Sequence, residues 1–424
     1  MLTNAMAIGI VKYCLKTRLK HAGWTVACAA LPGITLLAQP AIAQVGPLHP
    51  FELRLLNATT WDANVFRLPA GAPEPQLAQG HAGKADRFNA LTFGLRFDKS
   101  YSQQHFVVDL SRTETRYHKF TSLDRNALNN HAQWDWRLGS RVSGTLSADR
   151  TESVVGFDDS AGLKNIVTDT ATRGFTVDGW LTGGWHLQGG LSEFERKTSG
   201  TFAAAPSITQ SSAELGVNYI ARSGSAATFT SRSRRGSNTG QAVDLVNFID
   251  SGFTMRENEL KATWIASAAS TLNGRLTRIE RRHEHVPQRD FSRYAGELGY
   301  AWTPTGKLSF IASARRNVLP WTADTTASFR IDDTLSIAPS WQIASHTTLR
   351  MSASRLSSSF LGPVAPVAGP LRRDVLRSVL VGADWLPHRS VKLSATLRRD
   401  HRFSTEAALQ YDDTVAAVNA ALTF

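Results

Sequence analysis

The sequence predicts an all-β protein: a transmembrane antiparallel up-and-down β-barrel of about 18 strands that follows a cleaved signal peptide. Three observations support this prediction. Apolar and polar residues alternate in many short segments, short turns alternate with longer polar connections, and tryptophans recur beside the short turns. Alternation with a period of two residues is typical of a strand with one lipid-facing side and one side facing a polar lumen.

The N-terminal segment has the three parts of a secretory signal peptide. An apolar run covers residues 22–38, and Ala41-Ile42-Ala43 supplies a small-residue cleavage site. We therefore expect residues 1–43 to be removed and residues 44–424 to form the barrel. Pro32 and the cleavage site argue against the alternative, an N-terminal anchor helix. The basic residues that precede the apolar run are Lys12, Lys16, Arg18 and Lys20.

Charge and cysteine content restrict the possible functions. Cys14 and Cys28 are the two cysteines of the chain, and both lie in the expected signal peptide. The mature chain therefore has no thiol for a disulfide or a metal site, and we expect no cofactor. The formal net charge of +12 falls to +8 when the four basic residues of the signal peptide leave. This excess permits an anionic partner, but nothing beyond it favours nucleic-acid binding.

The strands are predicted from the alternation and the turn signals. An even number of strands places both termini in the periplasm, and sixteen strands is the alternative count. Upward strands are expected to begin near residues 51, 104, 141, 185, 225, 270, 307, 346 and 390. Downward strands are expected to begin near residues 88, 127, 172, 210, 253, 290, 325, 374 and 412.

Tryptophan placement gives an independent indication of a membrane barrel. Of the eleven tryptophans, eight lie within a few residues of a predicted short turn. Tryptophan prefers the membrane–water interface, so these residues predict an aromatic girdle at the periplasmic rim. Tryptophans in the core of a soluble sandwich would lie mid-strand instead. The eight are Trp134, Trp136, Trp180, Trp185, Trp264, Trp302, Trp341 and Trp385.

The last strand has the pattern of a barrel-closing strand. Val418, Ala420, Leu422 and Phe424 share one face, and the aromatic Phe424 is the last residue of the sequence. A terminal Phe resembles the assembly signal that the barrel-assembly machinery reads. The alternative is an edge strand of a soluble sheet.

The polar faces of the predicted strands carry the candidate lumen-lining residues. In the strand at 391–398, the even-numbered residues are polar, and lysine or arginine on the lipid side would cost about 2–4 kcal/mol at mid-bilayer. Two hypotheses stay open for these charges: recognition of an anionic glycan, or cross-strand ion pairs that only stiffen the wall. Glu259 is the predicted neighbour of Arg232 and Arg234. The basic candidates are Arg141, Arg232, Arg234, Arg275, Arg315, Arg350, Lys392 and Arg398, and the inward acids are Glu214, Glu259, Glu297 and Asp384.

Catalytic and metal sites receive no support from the motifs. His283 and His285 have H-x-H spacing, but no second ligand cluster accompanies them, so a polar loop tip near anionic lipopolysaccharide is the preferred interpretation. The sequence has no G-x-S-x-G elbow. We therefore predict no catalytic residue and no metal.

Several segments of this sequence resemble the EpsL type of outer-membrane β-barrel protein, within a broader group of β-barrel porins, which is encoded in exosortase-associated exopolysaccharide operons. WDANVFRLPAGA (61–72) and GLRFDKSYSQQHF (94–106) are the most distinctive segments. ETRYHKF (114–120), LSEFERK (191–197), YIARSGS (219–225) and DWLPHRSVKLSATLRRDHR (384–402) add to the resemblance. The motif residues in the long loop predicted at 61–87 are Trp61, Asp62, Asn64, Phe66 and Arg67, which either bind sugar or order the loop.

The resemblance implies a role in exopolysaccharide biosynthesis or export at the bacterial outer membrane. The leading hypothesis is a porin-like barrel that passes a secreted polysaccharide, with the loop at 61–87 as a candidate plug. A scaffold barrel without its own conduction is the second hypothesis, and an enzyme that acts on lipid or glycan is the third. The expected partners are outer-membrane lipid and lipopolysaccharide, the secreted polysaccharide, the barrel-assembly machinery and periplasmic polysaccharide-export components.

Overall fold

Eighteen antiparallel strands make up most of the chain that the structure, a computed structural model, describes: residues 50–75, 83–154, 157, 166–199, 206–240, 242–366 and 369–424. These residues belong to one unit, residues 41–424, and the expected signal peptide at 1–43 lies outside them. Within them, no helix is long and apolar enough to cross a membrane. The strands are β1 Phe51–Asp62, β2 Asp86–Tyr101, β3 Gln104–Tyr117, β4 Arg125–Leu138, β5 Val142–Val154, β6 Val167–Thr182, β7 Trp185–Thr198, β8 Ile208–Ile220, β9 Ala226–Asn238, β10 Gly252–Ser267, β11 Ser270–His283, β12 Phe291–Thr305, β13 Leu308–Pro320, β14 Phe329–Ala344, β15 Thr347–Leu361, β16 Arg373–His388, β17 Val391–Ser404 and β18 Tyr411–Thr423.

The strands form a closed ring in sequence order. Each strand pairs with its sequence neighbours, and β1 pairs with both β2 and β18. At the seam, the Leu53 amide donates to the Phe424 carbonyl at 3.0 Å, and the Phe424 amide donates to the Leu53 carbonyl at 2.9 Å. Along the paired length of the strands, closure leaves no sheet edge, which is the condition for strands to cross a bilayer. The prediction of an 18-stranded barrel is confirmed, and the sixteen-strand alternative is wrong.

Connections at the two ends of the barrel differ in length. At one end, which we call the turn end, they are the short segments 102–103, 139–141, 183–184, 221–225, 268–269, 306–307, 345–346 and 389–390. At the opposite end, the loop end, the connections are longer, and the longest covers residues 63–85. That loop is shorter than the predicted 61–87, because Trp61 pairs with Arg87 and Asp62 pairs with Asp86.

The outer face carries the apolar half of each strand. On β17, Leu397 and Phe403 are half exposed, whereas Asp400 and Arg402 on the opposite face are buried. The predicted alternation of residues 391–398 is therefore present. Seven of the eight tryptophans share the outward parity near the turn end and form the predicted girdle. Trp180 is the exception, because it has the same parity as the inward residue Asp178 and donates to the Gly183 carbonyl at 2.8 Å.

A glycine in β5 makes room for one of these tryptophans. The Trp136 ring lies across Gly144 and stacks on Phe175 with centroids 6.2 Å apart. A Cβ at Gly144 would collide with the Trp136 ring and with the backbone oxygen of Thr176. Only glycine therefore allows the ring to lie flat on the outer wall at this position.

The wall separates between β12 and β13 near the loop end. Their pairing ends at Gly296 and Arg316, although β12 continues to Phe291 and β13 continues to Pro320. The upper part of β12 pairs with β11 alone, and the upper part of β13 pairs with β14 alone. Beside the separation, a cavity of about 550 Å³ is lined by inward residues such as Glu297 and outward residues such as Leu335.

Above this separation, the ends of β13 and β14 lie on the lumen side of β12. Phe291, on the inner face of β12, packs against Val318 and Phe329, whose parity is outward on β13 and β14. The Phe291 and Phe329 rings are 5.0 Å apart. An inward-facing side chain of β12 can contact outward-facing side chains of β13 and β14 only if the ends of β13 and β14 have folded into the lumen. The apolar packing of the protein is therefore concentrated at the loop end, where this fold narrows the barrel mouth.

Candidate functional site: the charged lumen

The inner wall of β8–β10 holds a largely buried charge network. Arg232 donates to Glu214 at 2.7 Å and to Glu257 at 2.8 Å, and Arg234 donates to Glu257 at 2.9 Å. The four side chains are only 9–21% exposed. The structure corrects the predicted neighbour: Glu257 lies directly opposite Arg232, whereas Glu259 lies opposite Thr230.

Adjacent strands extend the network with more exposed pairs. Arg275 contacts Glu297 at 3.3 Å and Glu259 at 3.9 Å, and Arg315 donates to the other oxygen of Glu297 at 2.7 Å. Since β9, β11 and β13 supply arginines while β8, β10 and β12 supply glutamates, opposite charges alternate around this part of the wall. Such cross-strand pairs stiffen a sheet modestly.

A third network lies on β15–β17. Asp384 on β16 accepts a hydrogen bond from Arg350 at 2.8 Å and lies 3.6 Å from the Lys392 ammonium. Arg398 contacts Asp400 at 3.0 Å along the same strand. Seven of the eight predicted basic residues thus lie on the inner wall, each beside a carboxylate.

Arg141 is the exception among the predicted basic residues. It lies in the 139–141 turn rather than in β5, it is exposed, and its guanidinium stacks over the Trp180 ring at 5.3 Å. The alternation would make residue 141 inward-facing within a strand, but β5 begins only at Val142. Arg141 therefore belongs to the rim at the turn end and not to the lumen wall.

The sequence analysis missed a histidine–aspartate row on the inner wall of β2–β7. Three histidines each lie within hydrogen-bond distance of an aspartate: His105 of Asp98 at 2.8 Å, His131 of Asp149 at 2.6 Å and His186 of Asp178 at 2.7 Å. The signal was present, because His105 and Asp109 alternate with Phe106, Val108 and Leu110.

The predicted motif loop is held by its own polar side chains. Arg67 bridges Asp62 at 3.0 Å and Asp413 at 2.7 Å, and Asn64 donates to the carbonyls of Leu68 and Asp412. Burial alone would lower the pKa of Arg67, but the charges of Asp62 and Asp413 outweigh it and raise the pKa. These contacts order the loop against β18.

The two remaining motif residues point in different directions. Phe66 packs edge-on against Phe120 with ring centroids 4.7 Å apart, within a buried cluster that includes Leu123. Trp61 has outward parity on β1 and is 44% exposed. Trp61 therefore lies on the outer wall, away from the lumen.

The loop at 321–328, at the barrel mouth, is held in place by a buried arginine. Buried Arg289 donates to the carbonyls of Trp321 at 2.9 Å, Asp324 at 2.9 Å and Ala327 at 3.1 Å, and to Phe248 as well. Burial lowers the pKa of Arg289, and the charge of Asp324 opposes that shift. One arginine thus ties the inward-folded 321–328 loop to the loops before β10 and β12.

The two histidines with H-x-H spacing each hydrogen-bond to a separate aspartate. His283 lies 3.2 Å from Asp290, and His285 lies 3.0 Å from Asp250. Burial alone would raise the pKa of Asp250, but hydrogen bonds from His285, Gly252 and Val286 lower it to about 2. In the part of the chain that is described, no group of three histidine, cysteine or acidic side chains could hold a metal ion.

The barrel is similar in fold to solved outer-membrane proteins of Pseudomonas aeruginosa. OccK2 (OpdF) is 10% identical with a TM-score of 0.50, and the match covers 88% of this chain and 98% of that one. The same protein in complex with glucuronate gives 9% identity, a TM-score of 0.50 and the same coverage. OccK9 (OpdG) is 13% identical, with a TM-score of 0.49 and coverage of 88% and 98%.

Such low identities show a shared fold and no more. No protein-family model and no curated protein matches the sequence. The closed ring of strands, the apolar outer face and the shared fold with solved outer-membrane barrels all indicate that the chain lies in a membrane. The protein is a porin-like β-barrel of the bacterial outer membrane.

Proposed function

We propose that this barrel passes a secreted polysaccharide across the outer membrane as part of exopolysaccharide export. The observation that carries the proposal is the chemistry of the inner wall, where paired charges stand among rows of hydroxyl groups. Sugar hydroxyls need partners that both donate and accept hydrogen bonds, and serine and threonine hydroxyls do both.

The hydroxyl rows are built by cross-strand register. Ser313 lies opposite Ser336 with their oxygens 2.8 Å apart, and Ser309 lies opposite Ser340 at 2.7 Å. On the β7–β8 wall, Ser192 and Ser212 are 2.7 Å apart. Each pair leaves a second lone pair free for a hydroxyl in the lumen.

Because the lumen arginines are paired with carboxylates, the inner wall suits passage of a polysaccharide better than tight binding of one. Conduction requires binding that is weak and spread over several sites, so that the cargo can leave as well as enter. An arginine already neutralised by glutamate attracts a sugar acid less than a free arginine does. A neutral or weakly acidic polysaccharide could therefore move between such sites without being trapped at one.

Two further points support the glycan assignment. The segments that carry the resemblance to the EpsL type coincide with lumen networks: Asp98 and His105 lie in one of them, and Asp384, Lys392 and Arg398 lie in another. In addition, OccK2, which shares the barrel fold, has been solved in complex with glucuronate, a sugar acid.

Conductance in planar bilayers tests the proposal directly. We expect the purified barrel to form channels whose current is transiently blocked by oligosaccharides of the host exopolysaccharide. An unrelated neutral dextran of equal mass is the control for simple occlusion. Channels that respond equally to both polymers would contradict glycan specificity.

The inward-folded loop end favours a second candidate, a scaffold barrel that does not conduct. Arg289 and the apolar cluster around Phe291 hold the β13–β14 end on the lumen side of β12. A scaffold would show no channel activity and would still be required for polymer secretion in a deletion strain. Polymer-blocked channels together with a secretion defect would decide for conduction. Enzymatic action on lipid or glycan is the least supported alternative.

A further inference from the structure

The outer face carries a row of arginines at one fixed height. Among the nine upward strands that the structure describes, six have an outward-facing arginine as their ninth residue. All six side chains are exposed and have the parity of the apolar lipid-facing residues. We call this row the arginine collar: Arg112, Arg150, Arg278, Arg316, Arg355 and Arg399.

The height of the collar matches the upper boundary of the membrane. Eight steps of about 3.3 Å along a strand tilted by about 40° rise roughly 20 Å above the turn end. An outer-membrane barrel has an apolar band about 25 Å tall, with aromatic residues at its borders. With the tryptophan girdle at the turn end, the collar lies where the headgroups of the outer leaflet begin.

Part of the collar lacks carboxylate partners. Arg150 contacts Asp169 at 2.6 Å and Arg316 contacts Asp333 at 2.7 Å. On β15–β17 the arrangement differs, since Arg355 lies directly opposite Arg377. No described carboxylate lies within ion-pair distance of Arg355, Arg377 or Arg399.

The register brings a third arginine close to this pair. Arg377 lies opposite His401, so Arg399, two residues earlier on β17, is its diagonal neighbour. The carboxylate of Asp412 is hydrogen-bonded to His401 at 2.8 Å. Like charges directly opposite each other on a sheet are destabilising, and a bound anion would remove that repulsion.

The residues around the three arginines indicate that the bound anion would belong to a membrane lipid. Below the three arginines on the same face lie Met351, Val379 and Leu397, which are about half exposed and face lipid. Beside Arg355 lies the cavity of about 550 Å³ at the β12–β13 separation. Acyl chains would therefore cover the wall beneath the arginines, with the headgroup at the level of the guanidinium groups.

We propose that Arg355, Arg377 and Arg399 bind the phosphate groups of a lipopolysaccharide headgroup in the outer leaflet. Guanidinium groups match phosphate geometry with two parallel hydrogen bonds. Three neighbouring strands span about 10 Å at 4.8 Å per spacing, which is wider than one phosphate. The site therefore fits a headgroup that carries more than one phosphate better than a phospholipid with a single phosphate.

Lipopolysaccharide retained by the purified barrel is the primary measurement. We expect the triple variant Arg355→Gln, Arg377→Gln, Arg399→Gln to retain at least about tenfold less lipopolysaccharide by native mass spectrometry. A tenfold loss corresponds to about 1.4 kcal/mol of binding free energy. The matched control removes the same charge from dispersed collar positions. It is Arg112→Gln, Arg150→Gln, Arg278→Gln.

Three probes separate the sources of the anion: intact lipopolysaccharide, phosphatase-treated lipopolysaccharide and phosphatidylglycerol. We expect only the first to raise the unfolding temperature of the wild-type barrel above that of the triple variant. Equal loss in both triple variants, or no loss in either, would overturn the site. Equal stabilisation by dephosphorylated lipopolysaccharide or by phosphatidylglycerol would overturn the ligand assignment. Heat-modifiable migration reports correct assembly, and Arg377→Gln alone replaces the triple variant if that variant does not assemble.

Discussion

The buried charge network on β8–β10 makes a measurable claim about stability. Glu214 and Glu257 are 10% and 9% exposed; Glu214 is paired with Arg232, and Glu257 is paired with both Arg232 and Arg234. Removing Arg232 and Arg234 together leaves two carboxylates in a poorly hydrated wall. Breaking a buried pair by removing one partner costs about 3–5 kcal/mol, whereas an exposed pair contributes about 0–1 kcal/mol. The smaller value would apply if the lumen wall were fully hydrated at these residues.

We therefore expect Arg232→Gln with Arg234→Gln to lower the free energy of unfolding by roughly 3 kcal/mol. Guanidinium unfolding of the reconstituted barrel measures this change. Arg315→Gln is the matched control, since its side chain is 46% exposed and Glu297 keeps Arg275. That control should cost less than about 1 kcal/mol. Equal losses of unfolding free energy in the two variants would refute the conclusion that the β8–β10 network is stabilised by burial.

Three further predictions concern the loop end. Arg289→Ala should release the 321–328 loop and raise single-channel conductance, whereas unchanged conductance would show that this loop does not obstruct the lumen. The pair Ala295→Cys with Asn317→Cys should fail to form a disulfide, because the strands have separated there and cysteines need Cα atoms within about 7 Å. Its control, where the strands still pair, is Leu298→Cys with Ala314→Cys. Because the pKa of Asp250 is lowered to about 2, its stabilising effect is complete above its ordinary value of 3.8 and is lost as the pH falls towards 2. Hydrogen-exchange protection of the Val286 amide, corrected for intrinsic rates, should fall over that range in the wild type and not in Asp250→Asn.

Strand order and strand count could be predicted because turns and alternation are local properties. The short turns around Gly183 and Gly306 and the apolar alternation of β17 are readable from a few adjacent residues. Each upward strand begins within one residue of its predicted start. Downward strands follow longer loops, and their predicted starts are less accurate. The largest error is five residues, since β6 begins at Val167 and its predicted start was near 172. Long polar segments contain weaker signals for where pairing resumes.

Partner identity could not be predicted, because it depends on register. Parity places Glu257 and Glu259 on the same face, and a shift of two residues between β9 and β10 decides which of them meets Arg232. The inward fold of the 321–328 loop could not be predicted for a similar reason. The 61–87 segment is rich in proline and glycine, which indicated a loop, whereas Arg289 and Phe291 act through contacts with residues about 30–40 positions away.

The arginines inside and outside the barrel differ in how their charge is neutralised. Inside, Arg232, Arg275, Arg315 and Arg350 are each matched by an acid on a neighbouring strand, so this part of the wall presents dipoles and hydroxyls rather than free cations. Outside, Arg355, Arg377 and Arg399 stand together without an acid, at the height where a headgroup phosphate lies. Free cations in the lumen would trap an acidic polymer, whereas free cations on the outer wall would hold a lipid that need not leave. The same residue type thus suits passage in one place and anchoring in the other, because the paired lumen arginines face carboxylates and these three outer arginines do not.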